Sequence, residues 1–225
     1  MPPERRRYYV IGADVAEGVR GGDFSCAQVV DYDFVEQSAI WHGRVSPDIF
    51  GHILYTLGAY YNWAFIAVEA NSIGSTVLHV LHDLGYPNLY YRERLDPLTR
   101  KVVSDKLGWL TTTKTKGPML HELGKRIREG SVVLHDKLTI DELMSFTYDT
   151  SKSGKEQYGA EPGCHDDTPI ALAIALAARE SPQCEPPEDF DPMDISFMEA
   201  VEELGIHAPR RRRGSETELE EWCLS

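Results

Sequence analysis

Three places in the chain put carboxylates where a strand should end or a helix should begin. Asp14 follows the apolar run YYVIGA at 8–13, and Glu69 follows AFIAV at 64–68. Asp166 and Asp167 stand immediately before an alanine-rich stretch at 168–179. Side chains at strand ends of an open α/β sheet project into a common crevice. Carboxylates gathered there repel one another, and a hard divalent cation removes that cost. Two such ions roughly 4 Å apart activate a water and stabilise a leaving oxygen, which is the chemistry of phosphodiester hydrolysis. Each site also has a plainer reading. Asp14 ahead of glycines suits a turn, and an aspartate pair before a helix is first of all an N-cap with a favourable charge on the helix dipole. Glu69 resists such a reading, because an acidic residue directly after a buried strand gains nothing from burial. Jointly the three favour a metal centre.

Around them stand residues of weaker meaning. Asn71 and Gly74 follow Glu69 and suit the start of a helix. Lys114 and Lys116 precede or open a helix, where phosphate meets both their charge and unpaired backbone N–H groups. Arg92, Arg94, Lys152 and Lys155 are further candidates to follow a nucleic-acid backbone, with solvated surface charge as the alternative. His165 lies beside the aspartate pair. Tyr55, Tyr60, Tyr61 and Trp63 read as packing.

The elements needed to position these residues are legible in outline. Strands are predicted at 8–13, 25–32 and 37–45, the last two in an antiparallel meander. Ser46 with Pro47 opens a helix to about residue 61. The continuous apolar run 64–68 reads as a central strand covered on both faces. Helical spacing covers 72–84, ended by Gly85 and Pro87, and a strand follows at 89–94. Thr115 is the expected cap of a helix at 116–129, with a short strand at 131–134 and a helix or strand at 140–147. The polar stretch 150–163 reads as a mobile loop or hairpin, and 168–179 as a helix. This order predicts an α/β fold, a mixed sheet with helices on both faces.

Composition is that of an ordinary globular chain, 42% hydrophobic and 26% charged in 225 residues. No apolar run reaches the roughly 18 residues of a membrane span, and the basic N-terminus has no signal core behind it. Cys26, Cys164, Cys184 and Cys223 form no C-x-x-C pair, which fits a reducing cytoplasm. The net charge of −13 is unlike a nucleic-acid binder, but residues 181–225 hold 12 Asp/Glu against 4 Arg, leaving −5 for the rest. That segment is rich in proline and acidic charge and is expected to be a mostly disordered linker and interaction tail outside a domain at 1–180. Within it, Ile195, Met198, Val201 and Leu204 stand at helical spacing.

Four stretches resemble, in order, the sequence blocks of the nuclease domain of tailed-phage terminase large subunits: GADVAEGVRGGDFS at 12–25, VEANSIGSTV at 68–77, GWLTTTKTKGPML at 108–120 and GCHDDTPIALAIALA at 163–177. The resemblance implies an RNase H-like fold and an endonuclease dependent on Mg²⁺ or Mn²⁺, as two ions, with no organic cofactor. It implies that Asp14, Glu69 and the Asp166/Asp167 pair are metal ligands, with Asp23 as a further acidic position; the adjacent aspartates are not separable by sequence. It also implies double-stranded DNA as substrate, the cytoplasm of a host bacterium as location, and a terminase ATPase domain, a small terminase subunit and a portal protein as partners. The chain has no G-x-x-x-x-G-K-[ST] phosphate loop, so an ATPase motor is not expected within it. Other RNase H-like nucleases of the resolvase or transposase type share the same metal chemistry. An actin-like phosphotransferase also opens its sheet with an acidic, glycine-rich turn, but a second phosphate loop is missing. A binding module that works through its tail is the reading from outside enzymology.

Overall fold

A computed structural model describes residues 1–19, 21–95, 102–150, 156–160 and 165–186. Lys152, Lys155 and the segment 187–225, including the expected amphipathic stretch, lie outside the described residues, as does the side chain of Arg94.

Strands β1 (Tyr9–Asp14), β2 (Ser25–Asp31) and β3 (Gln37–Gly43) form the expected antiparallel meander, and β4 (Phe65–Val68) joins β1 in parallel. The order across the sheet is β3-β2-β1-β4. The parallel pair needs a crossover, and α1 (Pro47–Tyr60) supplies it. Alternation along the strands divides the core in two. Tyr9, Ile11, Ala13, Ala27, Val29, Ile66 and Val68 pack with Phe50 and Leu54 of α1 and with Val77 and Leu81 of α2 (Gly74–Asp83). Val10, Val30, Phe65 and Ala67 face the other way, onto α5 (Asp167–Arg179) and α3 (Thr113–Glu129). The result is a mixed sheet with helices on both faces.

The helix α5 sits unusually close to β1. A Cβ built on Gly12 would lie 2.1 Å from the Ala171 carbonyl oxygen and 2.3 Å from the Ala175 nitrogen. Glycine on the strand and the alanine run on the helix are what let the two backbones meet.

Several local expectations shift. Thr112, not Thr115, caps α3: its hydroxyl accepts from the Lys114 and Thr115 N–H groups, while Thr115 returns a bond to the Thr112 N–H in a reciprocal box. Ser46 holds the N-cap position of α1 without a side-chain cap bond. The short strand expected at 131–134 is a single bridge, Val133 with Glu36, flanked by Val133 N–H to Val35 O at 3.0 Å. Residues 140–147 divide between α4 (Lys137–Ser145) and β7 (Phe146–Thr150), which pairs with β8 (Glu156–Ala160) in a hairpin. The strand expected at 89–94 also divides: Leu89 bridges β4, and β5 (Tyr91–Leu95) pairs with β6 (Val102–Leu107), an element that the sequence did not show. After α5 the chain stays on the domain, with a 3-10 turn at Pro182–Cys184, Cys184 buried in the α5 core and Gln183 bonded to both backbone groups of Tyr91. The first residues of the expected linker are therefore packed. Among the described residues no helix is long and apolar enough to cross a membrane.

Candidate metal centre

Asp14 is the last residue of β1, and it points to the α5 face by alternation from Gly12. Glu69 lies one residue past the last β1–β4 pair, Ala13 with Val68, and its N–H donates to the Ala13 oxygen at 2.8 Å. The two carboxyls thus stand side by side at the ends of adjacent parallel strands, within hydrogen-bonding reach. Burial is the main cause that holds the Asp14 carboxyl well above its usual range, and Glu69, Asp167 and Asp166 add to it.

Glu69 is held in place by its neighbours. Asn71 Nδ2 donates to Glu69 Oε2 at 3.0 Å, while Asn71 Oδ1 accepts from the N–H groups of Ile73 at 3.1 Å and Gly74 at 2.7 Å. One side chain therefore both starts α2 and orients the glutamate. Gly74 makes this possible, because a Cβ there would fall 1.8 Å from the Glu69 carbonyl oxygen. On the far side, the Trp109 backbone pairs with Val68 and Ala70, extending the edge of β4.

The aspartate pair opens α5, yet neither aspartate serves as its cap. Asp166 occupies the N-cap position with no side-chain cap bond. Glu142 of α4 does that work from across the fold: a carboxylate oxygen accepts from Thr168 N–H at 3.0 Å and from the Thr168 hydroxyl at 2.7 Å. The plain N-cap reading of the pair therefore fails, and both aspartates are left for other work. They differ in setting. Asp167 is only 4% exposed, and its Oδ2 is buried without a hydrogen-bond partner. Asp166 is half-buried and faces Lys116 Nζ at 3.8 Å. Burial raises the Asp166 carboxyl, Lys116 opposes that, and the Asp167 and Asp23 charges reinforce it. Asp23 is exposed in the turn before β2.

Asp14 lies near enough to Glu69, Asp167 and Asp166 for their charges to act on it, and Asp166 in turn feels Lys116 and Asp23. Lys114 is exposed on the first turn of α3. Arg92 is half-buried, donating from Nη2 to the Leu107 oxygen at 3.4 Å, and it lines a groove with Asn71, His79 and Lys106.

Two residues near the aspartates escaped the sequence reading. In the register of the sheet, Asp14 pairs with Cys26 and Cys26 with His42, so the three side chains share a row on the α5 face. His42 Nε2 lies 3.7 Å from Asp167 Oδ2. Burial pushes the Cys26 thiol well up, and Asp14, Glu142 and Asp167 push it further, so it stays protonated. Glu142 is the second missed residue. Only strand register could have exposed His42, and nothing local marks Glu142.

No family model matches the chain. Solved structures do. The large terminase nuclease of thermophilic phage G20c, solved with bound magnesium, aligns at a TM-score of 0.63 and 21% identity, covering 78% of this chain and 84% of that one. The large terminase nuclease domain of Thermus phage P74-26 gives 0.61 and 21%, over 81% and 85%. The fold is that of a terminase nuclease. The human cytomegalovirus terminase nuclease domain, manganese-soaked and inhibitor-bound, aligns at 0.50 and 11%, over 77% and 83%. At these identities the likeness establishes an RNase H-like fold, and the chemistry of the crevice has to be argued from its own residues.

Proposed function

We propose that the chain is a metal-dependent endodeoxyribonuclease that cuts phage DNA concatemers during genome packaging, in the cytoplasm of a host bacterium. One observation carries the reading: Asp14 and Glu69 meet at the ends of adjacent strands, near enough to feel the charge of an aspartate pair that α5 does not use as its cap. The donor set fits hard divalent ions, since Asp14, Glu69, Asp166 and Asp167 are all carboxylates and burial penalises the charge of Asp14. Asp14, Glu69 and the Asp166/Asp167 pair would hold them. Mg²⁺ or Mn²⁺, as two ions, would activate the attacking water and stabilise the leaving oxygen of a phosphodiester.

The protein's own share is positioning. Asn71 fixes the Glu69 carboxylate, and Glu142 fixes the first turn of α5 and with it both aspartates. Lys116, beside Asp166, offers a cation to a phosphate entering the crevice. Double-stranded DNA is the proposed substrate. The terminase ATPase domain, the small subunit and the portal are proposed partners, by likeness to terminases that the fold supports.

The test is incubation of purified protein with supercoiled plasmid and Mg²⁺ or Mn²⁺, with EDTA as control. Nicked and linear products only with metal are expected. Cleavage undiminished in EDTA would refute the mechanism. Cutting confined to branched DNA would move the assignment to a junction-resolving nuclease.

A further inference from the structure

Beside Asp14 and Glu69, on the side of β3 and sharing Asp167 with them, lies a second set of groups, two of which have no hydrogen-bond partner. His42 Nε2 and Asp167 Oδ2 are both buried and both lack a hydrogen-bond partner, although they face each other at 3.7 Å. That separation is too long for a hydrogen bond. Glu142 completes the set, with one ligand atom from each of the three residues all within 4.8 Å of one another. Asp167 is 4% exposed and Glu142 7%. His165 Nδ1 approaches the same Asp167 oxygen to 3.8 Å. The Phe24 ring stacks on His42 at 4.3 Å and meets His165 edge-on at 5.3 Å, closing the outer side.

Two buried carboxylates and an imidazole held in this way are costly as they stand. Among the described residues no Lys or Arg pairs with Asp167 or Glu142. A bridging water would give His42 and Asp167 a hydrogen bond, but it would bring no positive charge to Asp167, whereas Glu142 already has the Thr168 N–H and hydroxyl at one oxygen. A divalent ion satisfies all three at once. Two ligands bonded at about 2.1 Å to one ion lie up to about 4.2 Å apart, so the 3.7 Å gap is of the right size.

We infer that His42, Asp167 and Glu142 form an inner cation site beside the Asp14–Glu69 crevice, one that takes a borderline transition-metal ion such as Mn²⁺, Co²⁺ or Zn²⁺ in preference to Mg²⁺. Imidazole nitrogen is the reason. Mg²⁺ keeps oxygen ligands and its own waters, whereas the later divalent ions bind a mixed nitrogen and carboxylate set. The two sites share Asp167, but Asp14, Glu69 and Asp166 add only carboxylates to it while His42 adds an imidazole, so they differ in the ion they select.

The inference does not rest on the nuclease assignment, because it is read by binding without DNA. Full-length protein stripped of metal is titrated with Co²⁺ and followed by calorimetry and visible absorption, which reports nitrogen ligation. In the wild type, a Co²⁺ ion with imidazole character should remain bound under excess Mg²⁺. It should persist in the Asp14→Asn, Glu69→Gln double variant. His42→Phe, which keeps the ring stack on Phe24 but offers no ligand, should lose one bound Co²⁺ per chain and the nitrogen-type spectrum. The inference is overturned if Mg²⁺ displaces all Co²⁺ from the wild type, a result that needs no variant to fold. It is equally overturned if a folded His42→Phe chain binds as many Co²⁺ ions with the same spectrum.

Discussion

Asp14 concentrates the conflict between folding and chemistry in one residue. Its carboxyl keeps its proton to a higher pH in the folded chain than in the unfolded one. Stability from this group is therefore present at acid pH and lost as pH rises through the folded-state value. In EDTA, Asp14→Asn should melt above the wild type, by roughly 2–4 °C for each kcal/mol of strain relieved, and the gap should be wider at pH 8 than at pH 5. The same variant should not cleave plasmid. Differential scanning calorimetry at the two pH values checks the first part, and an equal gap at both would mean that the carboxylate repulsion is not what the substitution removes. Asn71 makes the opposite case, since its side chain stabilises both Glu69 and α2. Asn71→Ala should cost about 1 kcal/mol through the lost cap and should raise the Mg²⁺ concentration needed for cleavage. Asn71→Asp keeps the cap acceptor but faces Glu69 with a carboxylate, so it should retain stability better than Asn71→Ala while cleaving no better. Urea melts and Mg²⁺ titrations of the two variants separate these roles.

At the scale of elements, what was legible depended on whether the cause was local. β1, β2, β4 and α5 read clearly because apolar runs and alanine content mark them, and the carboxylates at their ends could be placed from order alone. The cap of α3 slipped by three residues because Thr112 and Thr115 bond reciprocally and each looks like a cap. β6 was missed because VVSDKL is drawn into a strand by pairing with β5 across the hairpin, which no local motif announces. His42 and Glu142 were missed because they act across 125 and 25 residues of chain on Asp167, through register and packing rather than through any motif. The seating of α5 makes this dependence testable. Gly12→Ala would set a Cβ 2.1 Å from the Ala171 oxygen, which only a backbone shift can relieve. Overpacking of this kind costs about 1–3 kcal/mol or more. Because the shift moves the helix that carries Asp166 and Asp167 relative to Asp14, cleavage should fall further than stability. Denaturant midpoints and plasmid cleavage, measured on one preparation below its melting range, test the pairing of the two losses. Cleavage retained at a lowered midpoint would show that the strand–helix spacing does not set the site.

For the whole molecule, the question is where the packed domain stops. Proline and acidic residues mark the change of composition at 181, and from that alone the boundary falls after Glu180. We propose that it falls later. Cys184 is fully buried against the α5 side of the core, and the Gln183 side chain bonds to the Tyr91 N–H at 3.0 Å and to the Tyr91 oxygen at 2.8 Å. Those two bonds tie the chain after α5 to the base of the β5–β6 hairpin, so the turn at Pro182–Cys184 joins elements that the sheet does not otherwise connect. Burying a small thiol side chain contributes on the order of 1 kcal/mol, and two hydrogen bonds add about 0.5–1.5 kcal/mol each. A chain ending at Pro186 should therefore melt with the full-length protein and keep its metal-dependent cleavage, as a dispensable tail predicts. A chain ending at Glu180 should melt several degrees lower. Thermal melts of the three lengths decide the point: equal melting of all three would return the boundary to residue 180, and a loss of folding in the chain ending at Pro186 would make the remaining 39 residues part of the domain.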